Sequence, residues 1–137
     1  MKKDFSKHWK ASKQPRKQRK YAANATLKDK RRFLSATLSK ELRKKYGKRS
    51  IPIRKEDEVS IMRGQFRKTK GKVSRVLLKK SLIYVEGAQL VKKDGSKTYY
   101  PIHPSNVMIT SLNLDDKGRK KVFDRVKNVT SEKVKGS

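Results

Sequence analysis

Short runs rich in Val and Ile recur through the second half of this chain, and within most of them the apolar residues fall on every second position. That is the pattern of strands with one face on a core and the other in water. The spacing predicts strands over residues 58–63, 72–78, 82–86, 89–92, 98–101 and 107–111. Val59, Ile61, Val73, Val76, Leu78, Ile83, Val85, Val107 and Ile109 are the inward-facing candidates. The breaks carry turn chemistry: Lys79-Lys80-Ser81, then Asp94-Gly95, whose glycine accepts the positive φ of a hairpin turn, then Pro104-Ser105-Asn106. Five or six strands this short suit a small, strongly curved barrel, which leaves few sheet edges open to aggregation.

Upstream the period becomes helical. Thr26-Leu27-Lys28-Asp29 has the form of a capping box, so a short helix is expected to about Leu34. Ser39 is placed to cap a second helix, with Glu41 in its first turn, Arg43, Lys44 and Lys45 towards its end and Gly47 just past it. That is the charge order a helix dipole favours. Leu38, Leu42 and Tyr46 give this helix one apolar stripe, read as the face that docks on the barrel. Pro52 stops any helix before the barrel begins.

The ends are polar. Residues 1–25 show almost no apolar periodicity, and alone they are expected to be disordered. Beyond Leu114 the chain is again polar, although Val122, Phe123 and Val126 at helical spacing allow one more short helix. Residues 128–137 carry no packing signal and are expected to trail free. The resulting division is a basic extension over 1–47, a barrel over 48–114 and a polar extension over 115–137.

Charge changes the picture from fold to partner. The chain holds 40 Lys and Arg against 12 Asp and Glu, a net +28, with only 33% hydrophobic residues. Such a molecule repels itself, and a polyanion that releases counterions on binding would favour its compact state. The excess is uneven: residues 1–55 hold 21 basic and 3 acidic groups, residues 56–137 hold 19 and 9. Lys13, Arg16, Lys17, Arg19 and Lys20 stud the first segment, followed by Arg31 and Arg32, then Arg43, Lys44, Lys45, Lys48, Arg49 and Arg54. Arg63, Arg67, Lys68, Lys70 and Lys72 crowd the segment between the first two predicted strands, where Gly64 and Gly71 are the candidate structural turn residues. A loop cannot bury such side chains, so it offers them as a contact surface on a rigid platform. All of these cations are candidate phosphate contacts with a nucleic acid.

Other chemistry is sparse. There is no cysteine, so neither a disulfide framework nor a thiolate zinc site can form. No signal-peptide core and no membrane-length apolar stretch is present, and an intracellular, soluble protein is expected. Membrane binding by the basic arm is weakened because only Phe5 and Trp9 lie near its start. Three adjacent carboxylates, Glu56-Asp57-Glu58, cannot converge on one ion from one strand, so a solvated turn is expected and no metal site. His8 lies in the arm, and His103 beside Pro104 is placed to cap backbone or touch RNA rather than to act as a base. No Gly-Lys-Ser or Gly-Lys-Thr follows Gly64 or Gly71, so there is no P-loop. Neither catalysis, a cofactor nor a small-molecule substrate is expected.

Gly64, Phe66, Gly71, Lys72 and Val73, with Tyr84-Val85-Glu86-Gly87 downstream, resemble the KOW motif, which implies a mainly β fold built on a small SH3-like barrel. The resemblance continues through residues 38–46, 49–59 and 102–107, and covers about residues 13–115. Over that span the chain is similar to the universal large-subunit ribosomal protein twenty-four family, in its archaeal and eukaryotic form. The resemblance implies a structural, RNA-binding constituent of the cytoplasmic large ribosomal subunit. It further implies binding near the 5′ region of the large ribosomal RNA early in assembly, close to the peptide exit tunnel, among neighbouring ribosomal proteins. Phe66 is placed either to stack on an unpaired base or to pack under the loop, and the resemblance implies packing at the barrel end; it also implies that Lys68 stands where the family's loop usually has glycine. The alternative reading is a KOW-type transcription elongation or nucleic-acid-binding regulatory module. Such factors normally add a second recognition domain and acidic or linker regions, where this chain has a basic arm.

Overall fold

The computed structural model describes His8 and residues 11–124. Three helices and two strands precede the predicted barrel strands: α1 (Pro15–Asn24), α2 (Leu27–Phe33), β1 (Ser35–Leu38), α3 (Lys40–Tyr46) and β2 (Ser50–Pro52). Then come β3 (Glu58–Ile61), β4 (Lys70–Leu77), β5 (Leu82–Val85), β6 (Gln89–Val91), β7 (Lys97–Tyr99), a 3-10 turn (Pro104–Asn106) and β8 (Val107–Ser111). A further helical stretch, α4, covers 117–124. Val126 and residues 128–137 lie outside the described residues.

Six strands form one sheet in the order β2-β1-β8-β3-β4-β5, and β6 and β7 make a separate hairpin. Only the β1–β8 pair is parallel. Beyond β5 the sheet continues through a single bridge, in which Ile83 and Ile102 exchange two N–H···O bonds of 2.9 Å. From Ile102 the chain passes through the 3-10 turn into β8, which pairs with β3, and the small SH3-like barrel is complete. The fold is mainly β with a partly helical N-terminal extension, as expected.

The six predicted strands are all present, within two residues at either end. All nine inward candidates except Val76 and Leu78 are buried. The register shift between Val73 and Arg75 places Val76 opposite buried Ile83, yet Val76 and Leu78 stay half-buried near the end of β4. Sequence patterning did not anticipate β1 and β2. β1 is short and polar at alternate positions, and β2 ends on Pro52, which an edge strand tolerates. Yet β1 sits inside the sheet, and Leu34, Ala36 and Leu38 join Ile51, Ile53 and the barrel residues in one core. Apolar packing therefore draws on both sides of residue 47.

Three local expectations are corrected. Residues 15–24, expected to lack structure, form α1, begun by Pro15 in the first turn and filled with the good helix formers Arg, Lys, Gln and Ala. It buries no residue, and Tyr21 meets Phe33 of α2 with ring centroids 6.2 Å apart. Leu38, assigned by its spacing to the α3 stripe, belongs to β1, while Leu42 and Tyr46 do pack against the core. The run Glu56-Asp57-Glu58 is not a wholly solvated turn, because its middle residue is 0% exposed. Asp57 accepts the amide N–H groups of Arg54 (2.8 Å) and Asn113 (3.0 Å) and a bidentate pair of bonds from Arg119 on α4.

Caps follow the sequence closely. Ser39 Oγ accepts the Leu42 N–H at 3.3 Å, and Gly47 closes α3 in the left-handed region at φ 62°. At α2 Thr26 Oγ1 accepts the Asp29 N–H, but it also donates to the Asp29 carboxylate at 2.6 Å. Phe123 of α4 is buried and meets Tyr46 at 4.3 Å, so α4 and α3 share one aromatic contact.

Candidate RNA interface

The candidate cations reach solvent from four places. Lys13 precedes α1, which carries Arg16, Lys17, Arg19 and Lys20, and α2 carries Arg31 and Arg32; all are exposed. Around α3 stand Arg43, Lys44, Lys45, Lys48 and Arg49, of which Arg43 and Lys48 are half-buried. Arg43 is partly committed within the protein, since its Nε donates to the Leu38 carbonyl at 2.8 Å. Arg54 is exposed and bonds the Asp116 carboxylate. Arg43 and Arg54 are therefore weaker candidates for phosphate than the rest.

The fourth place is the loop between β3 and β4. Two turns shape it, with Arg67 N–H bonded to the Gly64 carbonyl and Thr69 N–H to that of Phe66, and Ile61 and Lys68–Thr69 tie its neck. Gly64 sits at φ 94°, a conformation that strains any side-chain-bearing residue. Arg63, Arg67 and Lys68 project from the turns, and Lys70 and Lys72 alternate along the exposed face of β4. Gly71 between them faces the other way, where an added Cβ would lie 2.2 Å from the Glu86 carbonyl oxygen. Glycine is needed here for close approach of two strands.

Lys68 has φ 72°, the left-handed region in which a glycine would be at ease. Its N–H is held by the Ile61 carbonyl at 2.8 Å, so the backbone conformation is locked by hydrogen bonding. Phe66 is half-buried against the core and meets Tyr100 at 5.4 Å, which is packing, as expected. His103 caps the 3-10 turn: its Nδ1 accepts the Ser105 N–H at 3.3 Å.

The sheet separates two of these cation clusters. Met62, at the start of the basic loop, donates to the Asn106 carbonyl just before β8, whereas Ser39, at the start of α3, donates to the Ile109 carbonyl near the end of β8. At roughly 3.3 Å per residue, the loop and α3 stand about 10 Å or more apart along the strand. Together they form several separate cationic surfaces. Lys30 Nζ, bonded to the carbonyls of Ala23 (3.2 Å) and Lys79 (3.3 Å), ties α2 to the β4–β5 turn.

Arg75 was not among the candidate contacts. Arg75 is exposed on β4 opposite Tyr84, which stacks on Tyr99 at 5.7 Å. Only the register shift after Val73 turns Arg75 outward beside an aromatic pair, and residue types alone do not reveal that shift.

Among the described residues no group of His, Asp and Glu could hold a metal ion, and no helix is long and apolar enough to cross a membrane.

Two comparisons bear on this arrangement. Residues 12–127 match the family model of eukaryotic ribosomal protein L26 and its archaeal counterpart. The chain is also 52% identical over 114 residues to the large ribosomal subunit protein uL24 of Methanothrix thermoacetophila, covering 83% of this chain and 98% of that relative. A small barrel that displays exposed cations accords with both matches. The chain belongs to the family of ribosomal proteins formed by eukaryotic L26 and its archaeal counterparts, a family of structural ribosomal proteins and not of enzymes.

Proposed function

We propose that this protein is a structural constituent of the large ribosomal subunit that binds large-subunit ribosomal RNA through its N-terminal helices and its β3–β4 loop. Phosphate contacts from Arg and Lys fix position and affinity, and specificity comes from the shape into which several such surfaces fit. The observation that carries the reading is the display of nearly every candidate cation in solvent, on elements held by one small core. α1 buries no residue and bears four of them on its exposed surface, which suits a helix that gains further contacts on RNA.

The resemblance to the family extends the proposal to early binding near the 5′ region of the large RNA, a role in starting subunit assembly, and a position close to the peptide exit tunnel with other ribosomal proteins as neighbours. Mass spectrometry of ribosomal particles from the source cell tests the first step. The chain is expected at one copy per large particle, and its absence from that particle would reject the proposal.

A further inference from the structure

An open cleft of about 1110 Å³ runs between α2, β2, β4 and α4, away from the basic loop. Its floor is apolar, with Leu34, Ile53, Val76 and Leu78, and its rim carries Arg31, Arg54, Lys55 and Arg75 against Asp115 and Asp116, the latter paired with Arg54, so cations stay in excess. Val76 and Leu78 are the two barrel residues left half-buried, because this cleft opens over them. The volume exceeds the roughly 300–1,000 Å³ of ordinary small-molecule sites, which leaves room for a nucleotide with its flanking phosphates.

The geometry points to this cleft as a pocket for an unstacked ribosomal RNA nucleotide, its base on the apolar floor and its phosphates on the rim. The inference rests on the RNA-binding reading above and deepens it. Unpaired RNA bases splayed from loops and bulges are taken up on apolar or planar side chains, and guanidinium groups both stack on bases and grip phosphate in a fork. Arg31 and Arg75 are exposed, and neither guanidinium bonds an acceptor among the described residues, so both are available. An anionic ligand with a flat apolar body matches floor and rim together.

The test uses the full-length chain bound to purified large-subunit ribosomal RNA, with ultraviolet cross-linking and mass spectrometry of nucleotide-bearing peptides. Cross-links are expected on the segment containing Arg75 to Leu78 as well as on α1 and the β3–β4 loop. Leu78→Asp, at a half-buried position, should abolish the cleft cross-link and lower affinity about tenfold, the scale of one lost base contact. Arg75→Glu, at an exposed position that the core does not need, should do the same even if Leu78→Asp fails to fold. Tight RNA binding with every cross-link outside the cleft, and unchanged affinity for both variants, would overturn the pocket while leaving RNA binding intact. A cleft cross-linked in assembled subunits to a neighbouring protein and not to RNA would overturn it in favour of a protein occupant. No binding to the RNA at low salt would remove both readings.

Discussion

Arg119 and Asp57, 62 residues apart, meet in a bidentate ion pair at 2.6 and 2.7 Å, with side chains 3% and 0% exposed. The pair joins α4 to the entry of β3, and Arg119 also donates to the carbonyls of Asn113 (2.8 Å) and Pro52 (3.4 Å). Its Nε is buried without a partner among the described residues. A buried pair adds little over an apolar replacement, but breaking one side strands the other.

The two halves of the pair should not be equal. Asp57→Leu leaves the buried Arg119 charge without a counter-ion and two amide donors without an acceptor, and should cost about 3–5 kcal/mol, the range for one partner of a buried pair. Arg119→Met leaves Asp57 its two amide bonds and should cost less. Urea denaturation of both variants checks the ranking, and equal losses would contradict it.

Gly71→Val should destabilise the barrel by about 3 kcal/mol or prevent folding, the upper end of overpacking costs. The Cβ would fall on the Glu86 carbonyl oxygen, which β4–β5 pairing holds in place. A melting temperature near that of the unchanged protein would show that the strands can part there.

Lys68→Gly separates stability from binding. Relieving the left-handed backbone at φ 72° should stabilise the fold by about 1 kcal/mol, while the lost cation should reduce the salt slope of RNA binding by about one contact. Thermal melts and salt titrations read the two effects separately, and a destabilised glycine variant would contradict the first.

Asp116 should confer a small stability gain that disappears in acid. Its carboxylate accepts the Gly118 N–H and pairs with Arg54, and these hold its pKa below the ordinary 3.8. The folded state thus binds the proton less readily than the unfolded chain. The contribution is present above 3.8 and fades as pH falls through the lowered value. Denaturation midpoints of the unchanged protein and Asp116→Asn should therefore differ near neutral pH and converge in strong acid. A gap that widens on acidification would contradict the assignment.

Much of the barrel is readable from alternation because its strands are half-buried and its turns use Asp-Gly, Pro-Ser-Asn and Gly64. The helix caps at Thr26, Ser39 and Gly47 are readable because they depend on residues within three or four positions. What escapes are features set by distant partners. β1 is a strand because β8 and β2 flank it, and Asp57 is buried because Arg119 arrives from the other end of the chain. The exposed cations were legible as charge, but Arg75 and the cleft depend on a register shift inside β4. A fragment of residues 48–115 should consequently be far less stable than one of 26–124, since it lacks both β1 and Arg119. Circular dichroism melts compare them directly.

The claim that RNA offsets the charge excess carried by one small core is tested most directly by measuring affinity for large-subunit ribosomal RNA against salt concentration. Three full-length proteins are compared: unchanged, with Lys13, Arg16, Lys17, Arg19 and Lys20 replaced by Gln, and with Arg63, Arg67, Lys68, Lys70 and Lys72 so replaced. Each phosphate contact should contribute about 0.7–0.9 to the logarithmic slope. A steep slope for the unchanged chain is predicted, flattened in both variants and more by the change around α1. A shallow slope in all three, or affinity that survives both sets of replacements, would contradict the account.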